Sequence, residues 1–324
     1  MPTNAGPEYK KAEEAFRAAK TIDEKITRLE DMIALLPKHK GTDHLYADLK
    51  RRLSKLKQEF ESTGGRRGGG PALDFTREGA AQIVLVGPPN SGKSSMLRAV
   101  TNAHPEVADY PFTTQKPLPG MVPYQDIQIQ LVDTPAVTED YMHMHLLGLV
   151  RSADAALMVT DLSSDSLLDD VETMIDAFRE RHVEFVKDRN PDEGDEVLCR
   201  VIANKRDMKD AQPRLTLLQE MIGDRLDILP LSCRDEQDTA ALPEMLFTWL
   251  GVVRVYSKIP GEKADLDHPF TVFRGGTVED ICYLVHKDFV QNLKFARLWR
   301  KKDKPVTVSR HEPVEDGDIL ELHL

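Results

Sequence analysis

A loop with the composition of a phosphate-binding site lies at residues 86–95, with the sequence VGPPNSGKSS. Residues 87–94 fit the pattern G-x-x-x-x-G-K-[ST], follow the apolar run AQIVLV and precede a stretch with helical periodicity. Glycines let backbone N–H groups approach phosphate oxygens, the lysine ammonium reaches the β- and γ-phosphates, and the serine hydroxyl coordinates Mg²⁺. The positive end of the following helix points at the same charges. The residues that we predict to hold the phosphates are Gly87, Pro88, Asn90, Ser91, Gly92, Lys93, Ser94 and Ser95.

A second motif, ANKRD at residues 203–207, indicates which base the nucleotide carries. At the end of a strand, the Asp207 carboxylate can accept hydrogen bonds from the N1–H and the 2-amino group of guanine, and adenine offers no such pair. A site built around paired bonds rejects the wrong base by roughly 10⁴-fold or more. Lys205 would lay its aliphatic stem along the base, and Asn204 would brace the loop. The base pocket would be completed by backbone N–H groups of Ser232, Cys233 and Arg234.

Two further segments are placed to serve a metal ion beside the phosphates. DTPAV at residues 133–137 follows a strand candidate, so Asp133 could hold Mg²⁺ through a water. DYPFTTQKPLPG at residues 109–120 supplies Thr113 and Thr114 to a mobile loop, and we expect the Thr114 hydroxyl to cap the metal when the γ-phosphate is present. The predicted metal ligands are Ser94, Thr114 and Asp133. The residues expected to act in catalysis are Lys93, Thr114 and Asp133.

Composition and periodicity divide the chain into three segments. Residues 1–70 hold two amphipathic helical stretches, which indicates a helical hairpin, followed by the Gly-rich basic linker STGGRRGGG. Residues 71–251 alternate apolar runs with helical stretches, which is typical of an α/β fold with a mostly parallel sheet and helices on both faces. Residues 252–324 combine strand patterns with the capped helix TVEDICYLVHKDF and are predicted to form a β-grasp. In the middle segment the strand candidates are 82–86, 127–132, 155–161, 198–203 and 228–231.

Charge is spread unevenly along the 324 residues, whose net charge is −11. Residues 1–72 carry 15 Lys and Arg against 11 Asp and Glu, whereas residues 73–251 carry 16 against 31. A basic arm on an acidic body suggests a polyanion partner, although these charges could simply solvate the helices. In RLWRKKDK, residues 297–304, Trp299 could stack on RNA or pack on the core of its own domain. The basic side chains between Lys50 and Lys57 are the better RNA candidate.

Composition also bears on compartment. No apolar run approaches the roughly 20 residues that span a bilayer, and the first residues lack the apolar core of a secretion signal. Three widely spaced cysteines, in none of the usual metal spacings, suit a reducing environment. We therefore expect a cytoplasmic protein without a membrane partner, and the sequence does not indicate its oligomeric state.

The motif set resembles the translation-factor-related P-loop GTPases, and YPFTTQKPLPG is similar to the Obg–DRG branch. The helical N-terminal region of developmentally regulated GTP-binding (DRG) proteins is similar to TIDEKITRLEDMIALLPKHKGTDHLYADLKRRLSKLKQEF. Their C-terminal TGS domain is similar to DHPFTVFRGGTVEDICYLVHKDF with DGDILEL. The resemblance covers essentially the whole chain. It implies a P-loop GTPase fold with a C-terminal β-grasp (TGS) domain, GTP or GDP as ligand with Mg²⁺, and a link to translation and ribosomes.

The chain departs from the family pattern in the segment after Asp133. The usual D-x-x-G ends in Ala136 here, which keeps an N–H that can bond the γ-phosphate but has fewer backbone conformations than glycine. Val137 stands where many GTPases place the glutamine that orients the attacking water, which an apolar side chain cannot do. The stretch from Asp161 to Asn204 is also too short for the insertion that DRG proteins carry. We therefore expect a shorter relative with slow intrinsic hydrolysis.

The motifs predict a Mg²⁺-dependent molecular switch that binds and hydrolyses GTP. The resemblance to DRG proteins implies that it associates with the ribosome or RNA through the helical hairpin and the TGS domain. Similar GTPases with an asparagine at the position of Asn90 can use K⁺ beside the phosphates, so K⁺ could stimulate turnover. The alternative is a guanine-nucleotide-sensing module with negligible hydrolysis, which Ala136 and Val137 favour. An ATPase is disfavoured by Asp207.

Overall fold

The structure of the chain is a computed structural model that describes residues 76–101, 117–138, 142, 144–188, 195–301 and 304–324, and individual positions between residues 9 and 56. It separates into two compact units, Met1–Phe75 and Thr76–Leu324. The predicted linker at 62–70 and the two threonines Thr113 and Thr114 lie outside the described residues. Within the described part, no helix is both long enough and apolar enough to span a bilayer.

The first unit is helical at nearly all of its described positions. Leu29 and Leu49, one from each of the two predicted amphipathic stripes, are buried in one apolar cluster. Ile33 of the first stripe and Leu53 of the second pack against the same cluster. Both stripes therefore contribute to a common core, as two antiparallel helices would require. The turn predicted between them lies outside the described residues.

The second unit begins with a sheet of seven described strands. In chain order these are β1 (Ala81–Val86), β2 (Leu118–Tyr124), β3 (Ile127–Asp133), β4 (Ala155–Asp161), β5 (Glu184–Val186), β6 (Glu196–Asn204) and β7 (Asp227–Pro230). The spatial order is β2-β3-β1-β4-β6, and β5 and β7 both pair with β6. Only the pairing of β2 with β3 is antiparallel among these strands. The sequence predicted all of them except β2 and β5.

Helices cover both faces of this first sheet. They are α1 (Lys93–Val100), α2 (Met144–Ser152), α3 (Leu167–Arg179), α4 (Ala211–Ile222) and α5 (Glu236–Leu250). The β1 residues Ile83 and Leu85 share a core with Leu97 of α1 and Leu246 of α5. The alternate β1 residue Val84 is fully buried and points to the other face, because successive side chains of a strand alternate. Near the far edge, α3 packs against α4, β4 and β5.

The topology brings several chain reversals to one edge of the sheet. Strands β1, β3, β4 and β6 are parallel, so their carboxyl ends lie side by side. In open α/β sheets, ligands bind in the crevice at this edge. The motifs at residues 87–94, 133–137 and 203–207 all begin there, which is what positions the candidate site.

The remaining residues build a second sheet. Its elements are β8 (Val252–Ser257), β9 (Phe270–Phe273), α6 (Val278–Val285), α7 (Lys287–Asn292), β10 (Phe295–Trp299), β11 (Val306–Val308) and β12 (Asp318–His323). The strand order is β11-β10-β12-β8-β9, with β8 and β12 parallel at the centre, which is a β-grasp arrangement. At the start of α6, the Asp280 carboxylate accepts hydrogen bonds from the Thr277 backbone N–H (2.8 Å) and hydroxyl (2.9 Å). The predicted capping box is therefore present.

Candidate nucleotide-binding site

A cavity of about 580 Å³ opens at the carboxyl ends of the parallel strands of the first sheet. Twelve of the predicted site residues line it: Asn90, Gly92, Lys93, Ser94, Ser95, Ala136, Asn204, Lys205, Asp207, Ser232, Cys233 and Arg234. Residues separated by more than a hundred positions in the chain thus share one cavity, because each follows a strand that ends at the same edge.

The loop between β1 and α1 has a backbone that its glycines make possible. Gly92 has φ of 102°, and a Cβ on it would lie 2.2 Å from Nδ2 of Asn204. A Cβ on Gly87 would lie 2.4 Å from the Val159 carbonyl oxygen. Since real Cβ contacts are never this close, larger residues would push the loop away from its supports. The loop is therefore held against β4 and the Asn204 side chain.

Lys93 is folded inward over the loop that precedes it. Its Nζ donates to the carbonyl oxygens of Gly87 (2.9 Å) and Pro88 (3.0 Å), and only 7% of the residue is exposed. Burial lowers the pKa of Lys93 to about 8, although the nearby Asp133 charge opposes that shift. The ammonium is therefore held close to the cavity in a position that a phosphate group would stabilise.

Asp133 and Ser94 form the oxygen pair that could serve Mg²⁺. The Ser94 hydroxyl donates to Asp133 Oδ2 at 2.5 Å, while Asp133 Oδ1 is buried without a hydrogen-bond partner among the described residues. Burial raises the pKa of Asp133, against the hydrogen bond from Ser94 and the charge of Lys93. Hydroxyl and carboxylate oxygens suit Mg²⁺, which usually completes its octahedron with phosphate oxygens and water. Among the described residues, no three His, Cys, Asp or Glu side chains are grouped so that they could hold a metal ion. Ser94 and Asp133 therefore suit a metal that is bound jointly with a nucleotide.

Asn204 ties together the two loops that border the cavity. Its Nδ2 donates to the Ser91 carbonyl oxygen at 2.9 Å, and its Oδ1 accepts from the Cys233 backbone N–H at 3.2 Å. The side chain is almost fully buried. Asn204 therefore bridges the loop after β1 and the loop after β7.

Lys205 spans the mouth of the cavity beside the loop. Its Nζ donates to the Asn90 carbonyl oxygen at 3.2 Å and pairs with Asp161 Oδ2 at 2.5 Å. Burial tends to raise the pKa of Asp161, but hydrogen bonds from Lys205 and Ser163 outweigh it and lower the pKa. Both Lys205 and Asn90 have positive φ, 64° and 61°, which marks backbone held by its surroundings.

One wall of the cavity is formed by Asp207 and the loop after β7. Asp207 is exposed and lines the cavity. Beside it, Arg206 pairs with Asp235 (2.8 Å) and Asp238 (2.6 Å), and Asp238 also accepts from the Ser232 backbone N–H at 2.7 Å. These contacts fix the loop that carries Cys233, whose pKa burial raises to about 11, helped by the charges of Asp238 and Asp207. The thiol is therefore neutral at physiological pH.

The segment after Asp133 is anchored to the phosphate-binding loop. The Thr134 hydroxyl donates to the Leu85 carbonyl oxygen at 2.6 Å, and the Val137 N–H donates to the Gly87 carbonyl oxygen at 3.1 Å. Val137 is 4% exposed, and Ala136 lines the cavity. Ala136 is not among the described residues with positive φ, so its Cβ causes no strain of that kind.

The sequence-predicted set and the cavity lining differ at a few positions. Gly87, Pro88, Ser91 and Asp133 support the cavity without lining it, and Thr113 and Thr114 are outside the described residues. The lining residues that the sequence did not predict are Pro89, Thr134, Ser163 and Met208. Ser163 follows the end of β4, so the rule that ligands bind at strand ends could have indicated it. Met208 directly follows the ANKRD motif at residues 203–207.

Comparisons with known proteins agree with this geometry. Residues 82–189 match the family model "50S ribosome-binding GTPase", and residues 253–324 match the "TGS domain" model. An uncharacterized GTP-binding protein of Methanocaldococcus jannaschii is 28% identical over 362 aligned positions, covering 93% of this chain and 92% of that protein. Developmentally-regulated G-protein 1 of Arabidopsis thaliana is 28% identical, covering 93% and 91%. Both alignments exceed the 324 residues of this chain, so these relatives contain insertions that it lacks.

A solved structure supports the fold alone. The Schizosaccharomyces pombe YchF GTPase superposes with a TM-score of 0.50 at 14% identity, covering 78% of this chain and all of that chain. The resemblance to DRG proteins and the fold class predicted from the sequence are confirmed. The domain boundaries at residues 70 and 251 stay predictions.

Proposed function

We propose that this chain, which is similar to DRG GTP-binding proteins and has a P-loop GTPase fold with a C-terminal TGS domain, hydrolyses GTP to GDP and phosphate with Mg²⁺. The observation that carries the proposal is one cavity lined by the phosphate loop, Ser94 and Asp207, with the Asp133 carboxylate hydrogen-bonded to Ser94. Ser94 would bind Mg²⁺ directly and Asp133 through water, with Thr114 as the third expected ligand.

Separate groups of residues would bind the phosphates and select the base. Lys93 and the backbone N–H groups of residues 88–95 would hold the phosphates and neutralise charge that develops on them. The bound metal would add further stabilisation of that charge. Asp207 would select guanine, with Lys205 along the base.

Slow intrinsic turnover follows from Val137. Its side chain is buried and apolar, and its N–H is already bonded to Gly87, so it cannot orient a water molecule. K⁺ beside Asn90 would supply part of the missing stabilisation of charge. Asn90 lines the cavity next to Lys93, which supports this arrangement.

We also propose association with the ribosome or with RNA, in the cytoplasm. The family model matched by residues 82–189 is described as ribosome-binding, and basic residues are concentrated in the N-terminal segment. Phosphate contacts in such a complex would be made by Lys and Arg side chains and would weaken with salt.

The test is GTP turnover in K⁺ and in Na⁺, each with and without purified ribosomes. Stimulation by K⁺ and by ribosomes is expected. Equal turnover rates in K⁺ and Na⁺ would show that K⁺ does not stimulate hydrolysis. Equal rates with and without ribosomes would show that ribosomes do not activate it.

Val137 also favours a second candidate function, a module that senses guanine nucleotides with negligible hydrolysis. The anchored Val137 N–H leaves the segment after Asp133 bonded to the phosphate loop. Single-turnover hydrolysis in K⁺ and Mg²⁺ separates the two functions. Tight GTP binding with no phosphate released over hours would favour the sensing module.

A further inference from the structure

The face of the second sheet that lies away from α6 carries aromatic and basic side chains. On β10, Ala296 and Leu298 belong to the core under the helix, so Phe295, Arg297 and Trp299 point to the opposite side. The strand register places His323 beside Phe295 and Glu321 beside Arg297. Lys258 lies next in the row, since its backbone N–H donates to the Leu320 carbonyl oxygen. We call these six residues, Lys258, Phe295, Arg297, Trp299, Glu321 and His323, the aromatic–basic face.

The rings and cations of this face are arranged in contact with one another. Phe295 and His323 are stacked, with centroids 4.4 Å apart and planes at 14°. The Lys258 Nζ lies 5.1 Å from the centroid of Trp299, and the Arg297 guanidinium lies 6.0 Å from that of Phe295. All three rings remain partly exposed, and the Arg297 side chain is 48% exposed. The rings are therefore presented at the surface in a fixed orientation.

The charge of the face is positive on balance. Glu321 is 3% exposed and pairs with Lys258, with Arg297 at 3.4 Å and with His323 at 2.7 Å. One carboxylate is therefore shared between two permanent cations and a histidine. Exposed Lys301 and Lys304 add further positive charge in the loop after β10.

The simplest role for a row of paired charges across neighbouring strands is to stabilise the sheet. That role needs neither a half-exposed guanidinium nor three partly exposed rings on adjacent strands. Aromatic side chains combined with cations on an open sheet face are what proteins use to stack unpaired bases and to hold the phosphates between them.

We propose that the aromatic–basic face binds a short segment of single-stranded RNA. One base stacks on Phe295 and its partner His323, and another stacks on Trp299. Phe295 and Trp299 are four residues apart on one strand, about 13 Å, so they hold two separate bases. Arg297 and Lys258 contact the intervening phosphates. This inference deepens the RNA part of the proposed function, rests on it, and is independent of GTP hydrolysis.

We assign RNA with unpaired bases because its bases would stack on the rings and its phosphates would contact the cations. A duplex keeps its bases stacked inside, so the rings would gain little. An acidic peptide would satisfy the cations and leave the rings without partners.

The test measures binding of a fluorescently labelled ten-nucleotide single-stranded RNA to the full chain by anisotropy. Phe295→Leu and Trp299→Leu should each weaken binding by about fivefold to a hundredfold, because each removes one stacking contact. Tyr283→Leu is the matched control: Tyr283 is 61% exposed but lies on α6, outside the face. It should leave the affinity unchanged. Retained GDP binding and melting temperature verify that the variants are folded.

A second readout reports on Trp299 directly. The chain has two tryptophans, so Trp249→Phe leaves Trp299 as the only one, and RNA should quench its fluorescence. Unchanged affinity in a Phe295→Leu/Trp299→Leu double variant, or equal binding of a duplex or a polyglutamate peptide, would overturn the assignment. GTP turnover is measured on the same variants, so a failure of hydrolysis is distinguished from a failure of RNA binding.

Discussion

In the proposed function, Asp207 is the residue on which the choice of base depends. Its carboxylate lines the cavity and is exposed to an incoming ligand. Asp207→Asn replaces one acceptor with a donor, so the paired bonds to guanine are lost while xanthine, which has an oxygen in place of the 2-amino group, gains a partner. We expect GDP affinity to fall by about a hundredfold or more and XDP to bind better than GDP, measured by competition with a fluorescent nucleotide.

The matched control for that substitution is Asp224→Asn, an exposed carboxylate that does not line the cavity. It should leave both affinities unchanged. If Asp207→Asn binds GDP as the parent chain does, the base is recognised by other groups.

Lys93 predicts a pH dependence of nucleotide binding. Its pKa in the nucleotide-free protein is lowered by burial to about 8, whereas a bound phosphate would favour the charged form and raise it. Binding therefore takes up a fraction of a proton near pH 8 and very little at pH 6.5, and affinity falls as pH rises from 7 to 8.5. Calorimetry of GDP binding in two buffers of different ionisation enthalpy measures the uptake. No difference between the buffers at pH 8 would mean that Lys93 is fully charged before binding.

At the level of elements, Asn204 at the end of β6 holds the phosphate loop and the loop after β7 in register. Asn204→Ala leaves the buried Ser91 carbonyl and the partly buried Cys233 N–H without these partners, which costs about 1–3 kcal/mol. We expect the melting temperature to fall by about 2–10 °C and GDP affinity to fall with it. Asn292→Ala, at the exposed end of α7, serves as the control. A drop of equal size in both variants would show that the bridging contacts of Asn204 are not responsible.

The strands that position the site were readable from the sequence because they are buried on both faces. Residues 155–161 were predicted as a strand with the observed bounds, and β1 and β3 differ from their predictions by one residue each. Motifs placed after such runs necessarily meet at one edge, so most of the cavity followed. The sequence could not show which residues between the motifs also line the cavity, as Ser163 does.

Strand β2 was missed because Pro119, Gly120 and Pro123 resemble a loop. In the structure β2 is the edge strand of the first sheet, antiparallel to β3. The two prolines are four residues apart, so both of their nitrogens lie on the same side of the strand. An edge strand has one side with no neighbouring strand, where backbone N–H donors are not needed for sheet hydrogen bonds. Strand β5 has only three residues, which are too few to show the alternation of apolar and polar residues that is typical of a strand.

At the scale of the whole second unit, Arg254 joins the two sheets. It lies on β8, and its guanidinium pairs with Asp126 (2.7 Å), in the turn between β2 and β3, and with Asp316 (2.7 Å). The Tyr256 hydroxyl donates to the same Asp126 at 2.5 Å. Because β3 ends at Asp133, this joint connects the nucleotide-binding edge of the first sheet to the TGS domain through a single strand.

Arg254→Met should therefore separate the unfolding of the two sheets. The Arg254 side chain is 11% exposed, and its loss leaves two carboxylates unpaired, at a cost of about 1–3 kcal/mol since both can be partly rehydrated. We expect scanning calorimetry to change from one transition to two, with the lower one belonging to the TGS domain. Exposed Arg225→Met is the control and should keep one transition.

The pH dependence of that difference identifies its cause. Burial tends to raise the pKa values of Asp126 and Asp316, but hydrogen bonds with Arg254, and with Tyr256 for Asp126, outweigh it and lower both. A carboxyl group with a lowered folded-state pKa stabilises the fold above its unfolded pKa of about 4, and that contribution is lost as pH falls through the folded-state value. The parent chain should therefore exceed Arg254→Met in melting temperature by a constant amount from pH 5 to 8, and by less below about pH 4. A difference that persists undiminished at pH 3 would assign the effect to the contact of the Arg254 guanidinium with the Phe247 ring, whose centroid lies 5.1 Å away, rather than to the ion pairs.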